Sequence, residues 1–547
     1  MLTWHALTGA PESAPAAAAR QTSAAPPAPA AGAPARRRLP SWWPLAALTI
    51  LAAALRFSTL DLQSLWYDEA FTPVHVLHPS LIATLNGVGK TENAPPLWYI
   101  VVWASSRIFG LGAVALRLPS ALAGVATVPV AWQIGSELAG ERAARRRAAI
   151  VCAALVAVNP LFVWYSQEAR AYGLYVFCSA LALLCFLRAE RAPTPRRLAA
   201  FALTTSLALA TFYFEAFLAI PMVLWLLRDR SRWRATLPAV AVPTLVGLAL
   251  APLALTQGGR GTQWISSWAL TSRIEAIPQY YLTGYSGAPL GHGIELLIAL
   301  LIAAGIALWL WRGLAGATRR GALLVAMIAA CGVLIPLAMA LVGADYLAPR
   351  NVVAAMIPLT AMIAVLVAAP RSGRAGMAIA ALIALAFVAV TLDVNFNIRL
   401  QRSDWRGVVT ALDKPPPLLL PAGYTAYGPR LGASDPLARV ITTEELGSAP
   451  LEYYMPPLHN MMAGTTIAVR EIDEIGFFPL RPGASTPPAP GFRLAASLDI
   501  HDLIVYRFVS QVPRRVSEET LISHVITLHQ HPEVLVPGGG SISVGVP

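Results

Sequence analysis

The sequence predicts a polytopic all-α membrane protein of the inner membrane, with about eleven transmembrane helices plus outer juxtamembrane helices and a soluble α/β domain at its C-terminal end. Three observations predict it. Hydrophobic residues make up 56% of the 547 residues and charged ones 13%, with a mean hydropathy of +0.58, too apolar for a soluble chain of this size. Long charge-poor runs at 42–60, 198–212 and 294–311 approach the length a helix needs to cross hydrocarbon, and none alternates in polarity as a barrel strand would. From about residue 393 the composition turns to Pro, Gly and charged residues with short β-like runs, Thr466-Ile467-Ala468-Val469 and Leu503-Ile504-Val505-Tyr506.

Residues 1–40, dominated by Ala and Pro and closed by Arg36-Arg37-Arg38, read as a disordered cytoplasmic tail. The run 42–60 is too long for a signal-peptide core and stays as the first span, delivering Ser64-Leu65-Trp66-Tyr67-Asp68-Glu69-Ala70 outside. Residues 95–109 are apolar but short and carry Arg107. A crossing here would put the basic loop 141–147 outside, so the stretch reads as a juxtamembrane helix on the outer interface. Spans follow near 118–138, 148–165 and 171–187, and two more within 198–227 bend at Tyr213-Phe214-Glu215. A span at 235–255 leads to a long outer loop, 256–291, rich in Gly, Tyr, Trp and Ser and without a strong element of its own, which reads as functional. The remaining spans end at the basic loop 312–320, near Leu341, at 370–374 and near Leu392. The domains are then 1–40 (tail), 41–392 (transmembrane) and 393–547 (extracytoplasmic), with Ser403 or Asp404 capping a helix that starts near Trp405.

A net charge of +12 invites a nucleic-acid reading, but the arginines lie in short blocks between apolar runs, which is a topology signal and not a basic face; no nucleic-acid partner is expected. Cys152, Cys178, Cys185 and Cys331 all fall inside apolar runs and read as packing residues.

This topology gathers Asp68, Glu69, Lys90, Glu92, Arg117, Glu168, Arg170, Glu215, Arg260, Asp345 and Arg350 at the outer boundary, with Tyr172 and Tyr346 among several aromatics. Both signs of charge meet at the ends of the spans, whereas a channel ring uses one sign and a transporter puts ionisable groups at mid-span. Sugar transfer from a polyprenyl-phosphate donor suits such a layout, because the tail lies in the bilayer and the phosphate at its surface. Phosphate leaves without a general acid, so the site needs a carboxylate to take the acceptor proton and cations to hold the phosphate. Asp68 is the candidate base, and Arg117, Arg170 and Arg350 are candidates for the phosphate. Each Arg has an ordinary alternative as an interfacial anchor or ion pair, Arg170 with Glu168 or Arg350 with Asp345. A transporter or flippase of lipid-linked sugars is the competing class.

Trp66-Tyr67-Asp68-Glu69-Ala70, Asn93-Ala94-Pro95-Pro96-Leu97-Trp98-Tyr99, Ala115-Leu116-Arg117-Leu118-Pro119-Ser120 and Tyr165-Ser166-Gln167-Glu168-Ala169-Arg170-Ala171-Tyr172 resemble successive motifs of the membrane glycosyltransferases of the C fold. Among these they are most similar to bacterial relatives of the protein O-mannosyltransferases and of the lipid A aminoarabinose transferase. Tyr346 with Pro349-Arg350, and Ser403-Asp404-Trp405-Arg406, are similar to later features. The resemblance implies an enzyme that moves a hexosyl or pentosyl unit from a polyprenyl-phosphate donor to a hydroxyl of a cell-envelope acceptor on the outer face. It implies Asp68 as the catalytic centre with Glu69 assisting, Arg117, Arg170, Arg350 and Lys90 toward the donor phosphate, and Glu168, Tyr172, Glu215, Asp345 and Tyr346 in support. One departure is Ala94, where many relatives carry His or Lys before the two prolines. A divalent metal is compatible with the Asp68 and Glu69 oxygens near His75 and His78, but both histidines read as interfacial residues and no metal is assigned. Because this constellation precedes residue 393, the C-terminal domain is expected to be dispensable for the chemical step.

Overall fold

The computed structural model describes residues 42–140, 142–287, 289–312, 316–413, 439–524, 526–527 and 531–537; the 1–40 tail lies outside the described residues. Residues Pro44–Pro547 form one compact unit. Its helices begin with α1 (Trp43–Phe57), α2 (Tyr67–Phe71), α3 (Leu81–Thr91), α4 (Leu97–Phe109) and α5 (Ala113–Leu138). Next come α6 (Arg142–Val158), α7 (Pro160–Ser166), α8 (Tyr172–Arg191), α9 (Pro195–Thr211), α10 (Glu215–Leu227) and α11 (Trp233–Gln257). The helical part continues with α12 (Gln263–Ser267), α13 (Leu270–Thr283), α14 (His292–Arg312), α15 (Gly316–Leu341), α16 (Met356–Val367) and α17 (Gly373–Phe396).

Among the described residues, seven helical stretches, those of α5, α8, α11, α14, α15, α16 and α17, are long and apolar enough to cross a membrane, or eight if α6 and α7 count as one bent span. The 56° bend between α6 and α7 has a local cause. Pro160 lacks the N–H that would continue the ladder, and Asn159 Oδ1 restarts it by accepting from the N–H groups of Leu161 (3.1 Å) and Phe162 (3.2 Å). Arg56, fully buried, donates to the carbonyls of Ala157 (2.8 Å) and Val156 (3.4 Å) and so satisfies the end of α6. Gly124 lets α5 approach α7, since a side chain there would collide with Ser166.

The loop 256–291 differs from expectation. It forms α12 and α13; α13 runs through Pro278, buries Ala276, Ile277, Tyr281 and Leu282, and ends at a left-handed Gly284. At the far end of the bundle the basic loops tie together: Arg188 and Arg191 to Glu137 (3.2 and 2.6 Å), Arg228 to Glu190 (2.9 Å), and the N–H of Gly140 to Thr318 (3.2 Å). The opposite end carries the residues around Asp68. Helix α4 lies along that end: Tyr99 near its start neighbours Glu92 and Arg170, Arg107 near its finish donates to the His78 carbonyl (3.2 Å), and the following Leu111 accepts from Tyr453 (2.7 Å).

Beyond α17 come α18 (Trp405–Asp413), β1 (Arg439–Glu444), α19 (Glu445–Tyr454), β2 (Leu458–Asn460), β3 (Thr466–Phe477), β4 (Arg493–Ile500), β5 (Leu503–Ser517), α20 (Glu518–Ser523) and β6 (Pro532–Pro537). The strands form one sheet in the order β2-β6-β1-β3-β5-β4, in which only β1 and β3 pair in parallel. Asp404 caps α18 by accepting from the N–H of Gly407 (3.0 Å). Trp405, Val408 and Leu412 of α18 and Leu451 of α19 cover Ile441, Val505 and Leu535 on one face of the sheet. This region holds the stretch before Asp68: Ser64 Oγ donates to Ser403 O (2.8 Å) and accepts from the N–H of Trp405 (3.0 Å), and Tyr454 accepts from the N–H of Leu65 (2.7 Å).

Candidate functional site

Helix α2 starts at Tyr67 and places two acids in its first turn, where the helix dipole favours negative charge. Successive helical residues point about 100° apart, so Asp68 and Glu69 enter different surroundings. Glu69 turns inward and is fully buried. Arg117 grips it in bidentate fashion, Nε to Oε1 at 2.7 Å and Nη2 to Oε2 at 2.6 Å, and the N–H of Ala169 donates to Oε1 at 2.8 Å. Burial pushes the Glu69 carboxyl up, but Arg117, Arg402 and the Ala169 hydrogen bond together hold it below its ordinary range. The other N–H groups of Arg117 go to the carbonyls of Leu60, Gln63 and Ser64. Arg117 is therefore not open to a donor phosphate: all five of its donors fix the loop that carries Asp68, and Glu69 is its counter-ion.

Asp68 remains one-fifth exposed, and its Oδ2 accepts from Arg350 Nη1 at 2.7 Å. The Arg350 guanidinium also lies over the Trp264 ring, 4.5 Å from its centre, so α12 supplies a wall of the site. Arg170 pairs with Glu92 (3.1 Å) instead of Glu168, and its Nη1 also reaches Asp68 O and Thr72 Oγ1 (both 3.3 Å). Arg402 holds Glu168, Nη2 to Oε2 at 3.0 Å, with Nη1 3.8 Å from Glu69, and stacks over Trp164 at 4.2 Å. Four acids thus meet four arginines, each acid with its own partner.

Several candidates stand elsewhere. Asp345 pairs with Arg273 (2.7 Å to each oxygen) and not with Arg350; Arg273 holds its carboxyl below the ordinary range. Tyr346 is half-buried, and its carbonyl accepts from Asn351 (2.9 Å). Glu215 is buried at the start of α10 and accepts from the Ser179 hydroxyl. Lys90 is exposed at the end of α3, beside Gly89, whose carbonyl accepts from Arg260 (2.6 Å). Tyr172 packs its ring 4.8 Å from that of Tyr165 and 5.6 Å from that of Phe212. Among the described residues no three His, Cys, Asp or Glu converge; both Glu69 oxygens accept from Arg117, and His75 faces Glu452 at 3.6 Å.

Arg402 is the residue that sequence reasoning missed: the charged constellation was expected to lie wholly before residue 393, and Arg402 joins it from beyond that point. It stands one position before Ser403-Asp404, and the N–H of Arg402 donates to Gln63 (3.0 Å), so docking of the connection swings its side chain among the acids. Glu168 is then the unusual group. Burial raises its carboxyl to about 7 against the pull of Arg402, and Glu69 and Asp68 push the same way as burial. Its Oε1 is buried with no partner. An exposed carboxylate, a cation at its side and a second carboxyl with a free oxygen can accept a proton and bind hydroxyl groups.

Residues 93–255 match the sequence profile of the dolichyl-phosphate-mannose-protein mannosyltransferase family. The putative mannosyltransferase YkcB of Bacillus subtilis is 25% identical over 154 residues, 26% of this chain and 21% of its own length, so the chain spans about a fifth of that relative. The crystal structure of ArnT from Cupriavidus metallidurans bound to undecaprenyl phosphate superposes with a TM-score of 0.50 at 13% identity, covering 86% of this chain and 98% of ArnT. Its apo form gives the same score over 85% and 97%. With a helical bundle, a C-terminal sheet and the family likeness in 93–255, the chain has the C fold of the membrane glycosyltransferases.

Proposed function

We propose that the protein transfers a sugar from a polyprenyl-phosphate donor to an acceptor hydroxyl at the outer face of the membrane, with Asp68 as general base. The observation that carries this is the Asp68–Arg350 pair: a partly exposed carboxylate with one oxygen engaged by a partly exposed arginine, beside the buried Glu69–Arg117 and Glu92–Arg170 pairs. A donor phosphate seated at Arg350 competes for its guanidinium and leaves Asp68 free to act. Asp68 takes the acceptor proton as that oxygen bonds to the anomeric carbon; the carbon–phosphate oxygen bond breaks, and polyprenyl phosphate leaves as the anion. Lys90 and Arg260 are the further cations for that charge. Arg117 and Arg170 act by holding the Asp68 loop.

The outer-face assignment is supported by the positive-inside rule, since the basic loops share one end of the bundle and the four acids of the site the other. The family likeness and the undecaprenyl phosphate bound to ArnT support a lipid-linked donor. A transporter of lipid-linked sugars draws no support from these likenesses. Purified protein incubated with a panel of radiolabelled undecaprenyl-phosphate sugars and a cell-envelope extract as the source of acceptor hydroxyls should release undecaprenyl phosphate and move the label to an acceptor with at least one of them. Turnover with none, in protein that still binds undecaprenyl phosphate, would sink the reading.

A further inference from the structure

Helix α2 meets the bundle and the sheet region through groups of opposite charge. Its own acids meet arginines of the bundle, Asp68 with Arg350 and Glu69 with Arg117. Toward α19 of the sheet region it meets acids instead. The Tyr67 hydroxyl donates to Glu445 Oε1 (3.2 Å), and His75, in the turn after α2, lies 3.6 Å from Glu452 Oε2. Glu533 of β6 stands beside both Glu445 and Glu452, with hydrogen bonds from Ser448 and Asn460. The apolar part of this contact buries Ala449 with Leu65 and Ala70.

Three carboxyls thus gather behind the helix that carries Asp68, and among the described residues none of them pairs with a lysine or arginine. The other titratable groups around α19 are Tyr67 and Asp68 of α2, the buried Glu444 of β1 and the exposed His459 of β2. Arg117, Arg406 and Asp61 face Tyr453 or Tyr454. Burial raises the Glu452 carboxyl, and Glu533 pushes the same way. Burial raises Glu533 too, against the Ser448 hydrogen bond and with help from Glu445.

Both carboxyls lie above the ordinary 4.5 when α19 is seated, so the seated junction binds these protons more tightly than an open one. Their contribution is full below pH 4.5 and is lost as pH rises through the raised values. His75 works in the opposite sense: burial lowers it from 6.5, which favours the seated state above that pH and is lost as pH falls. Its side chain is 36% exposed against 14% for Glu452, so the carboxyls outweigh it.

We propose that α19 is a proton-operated latch on α2: it closes on the Asp68 helix when Glu452 and Glu533 are protonated and loosens when both ionise beside Glu445. The seating of Asp68 then follows the pH of the medium around the sheet region. What this does to turnover rests on the transferase reading above; the latch itself does not.

The test follows hydrogen–deuterium exchange of the full chain in lipid nanodiscs from about pH 4.5 to about pH 8, with labelling times scaled to the intrinsic exchange rate. Peptides covering 65–76 and 445–454 should lose protection as pH rises, about tenfold for each unit by which the two carboxyls are raised. Glu452→Gln combined with Glu533→Gln should hold protection at its acid level throughout, and either change alone should remove part of the dependence. Protection in the parent that ignores pH overturns the proposal whether or not a variant folds. So does a dependence that survives in the double variant, stays whole in both single variants, or disappears in His75→Gln. In a transfer assay the ratio of double-variant to parent kcat should rise with pH while KM for the donor stays equal in the two. Exchange needs no turnover, so a pH-dependent latch in a chain that transfers no sugar keeps the latch and sinks only the transferase reading.

Discussion

The bundle and the sheet each bury a set of ion pairs, built alike and finished differently. In the sheet, Arg507 on β5 reaches Asp473 (2.9 Å) and Glu471 (3.2 Å) on β3, Arg439 on β1 reaches the same two acids (3.0 and 2.7 Å), and Arg507 also donates to the carbonyl of Leu412 at the end of α18 (2.8 Å). Burial raises Asp473 to about 7, helped by Glu471 and opposed by both arginines. That network locks three strands to one helix. In the bundle, Glu69–Arg117 and Glu92–Arg170 are locked in the same way, but Asp68 has one oxygen engaged among the described residues, and Glu168 keeps a buried oxygen with no partner. Asp473 Oδ2 likewise lacks a hydrogen bond and rests 3.0 Å from Arg439 Nε as an ion pair, so what sets the bundle network apart is the partial exposure of Asp68 and its arginine.

The largest effect that would break this distinction is on Asp68. Asp68→Asn keeps the shape and removes the proton acceptor, so transfer should fall about 10²–10⁴-fold with the thermal midpoint nearly unchanged. Activity within a few-fold of the parent would reduce the pair to one more strut. Arg117→Ala should instead cost about 3–5 kcal/mol of stability, because it takes the bidentate partner from the buried Glu69, and Arg507→Ala should cost less, since Arg439 still holds both acids. Thermal unfolding in detergent reads this, and the surviving folded Arg507→Ala protein should keep its specific activity. Arg350→Ala, at a partly exposed position, should raise KM for the donor and lower kcat together with little change in midpoint, since phosphate carries charge before and after cleavage.

The smallest effect sharpens the role of Glu168. Its folded value of about 7 lies above the ordinary 4.5, so the folded chain holds this proton more tightly than the unfolded one. The stability it contributes is full below pH 4.5 and is lost as pH rises through about 7. Glu168→Gln should remove that segment of the pH dependence of the thermal midpoint, and an unchanged profile would show that Glu168 does not titrate there.

Much of the site was legible as a set of residues. Asp68, Glu69, Arg117, Glu168, Arg170 and Arg350 stand out because ionisable groups at the ends of apolar runs are few, and the fold brings all six together. Their pairing was not legible: Arg170 meets Glu92 and not Glu168, Arg350 meets Asp68 and not Asp345, and Asp345 belongs to Arg273. Sequence neighbours were the wrong guide, because an arginine near a helix end reaches whichever acid an adjacent helix presents.

By itself the sequence determined that this is a helical membrane protein with a C-terminal sheet region, because apolar run length and a change of composition are local properties that no packing can reverse. It also set Asp68 and Glu69 side by side just beyond the first long apolar run. Only the tertiary structure decided which of the two became a buried counter-ion and which stayed open. That depends on how Arg117 of α5 and Arg350 ahead of α16 approach from opposite sides of a five-residue helix. The tertiary structure alone also brought Arg402 in from the C-terminal connection, through contacts such as Ser64 to Ser403 that span 339 residues.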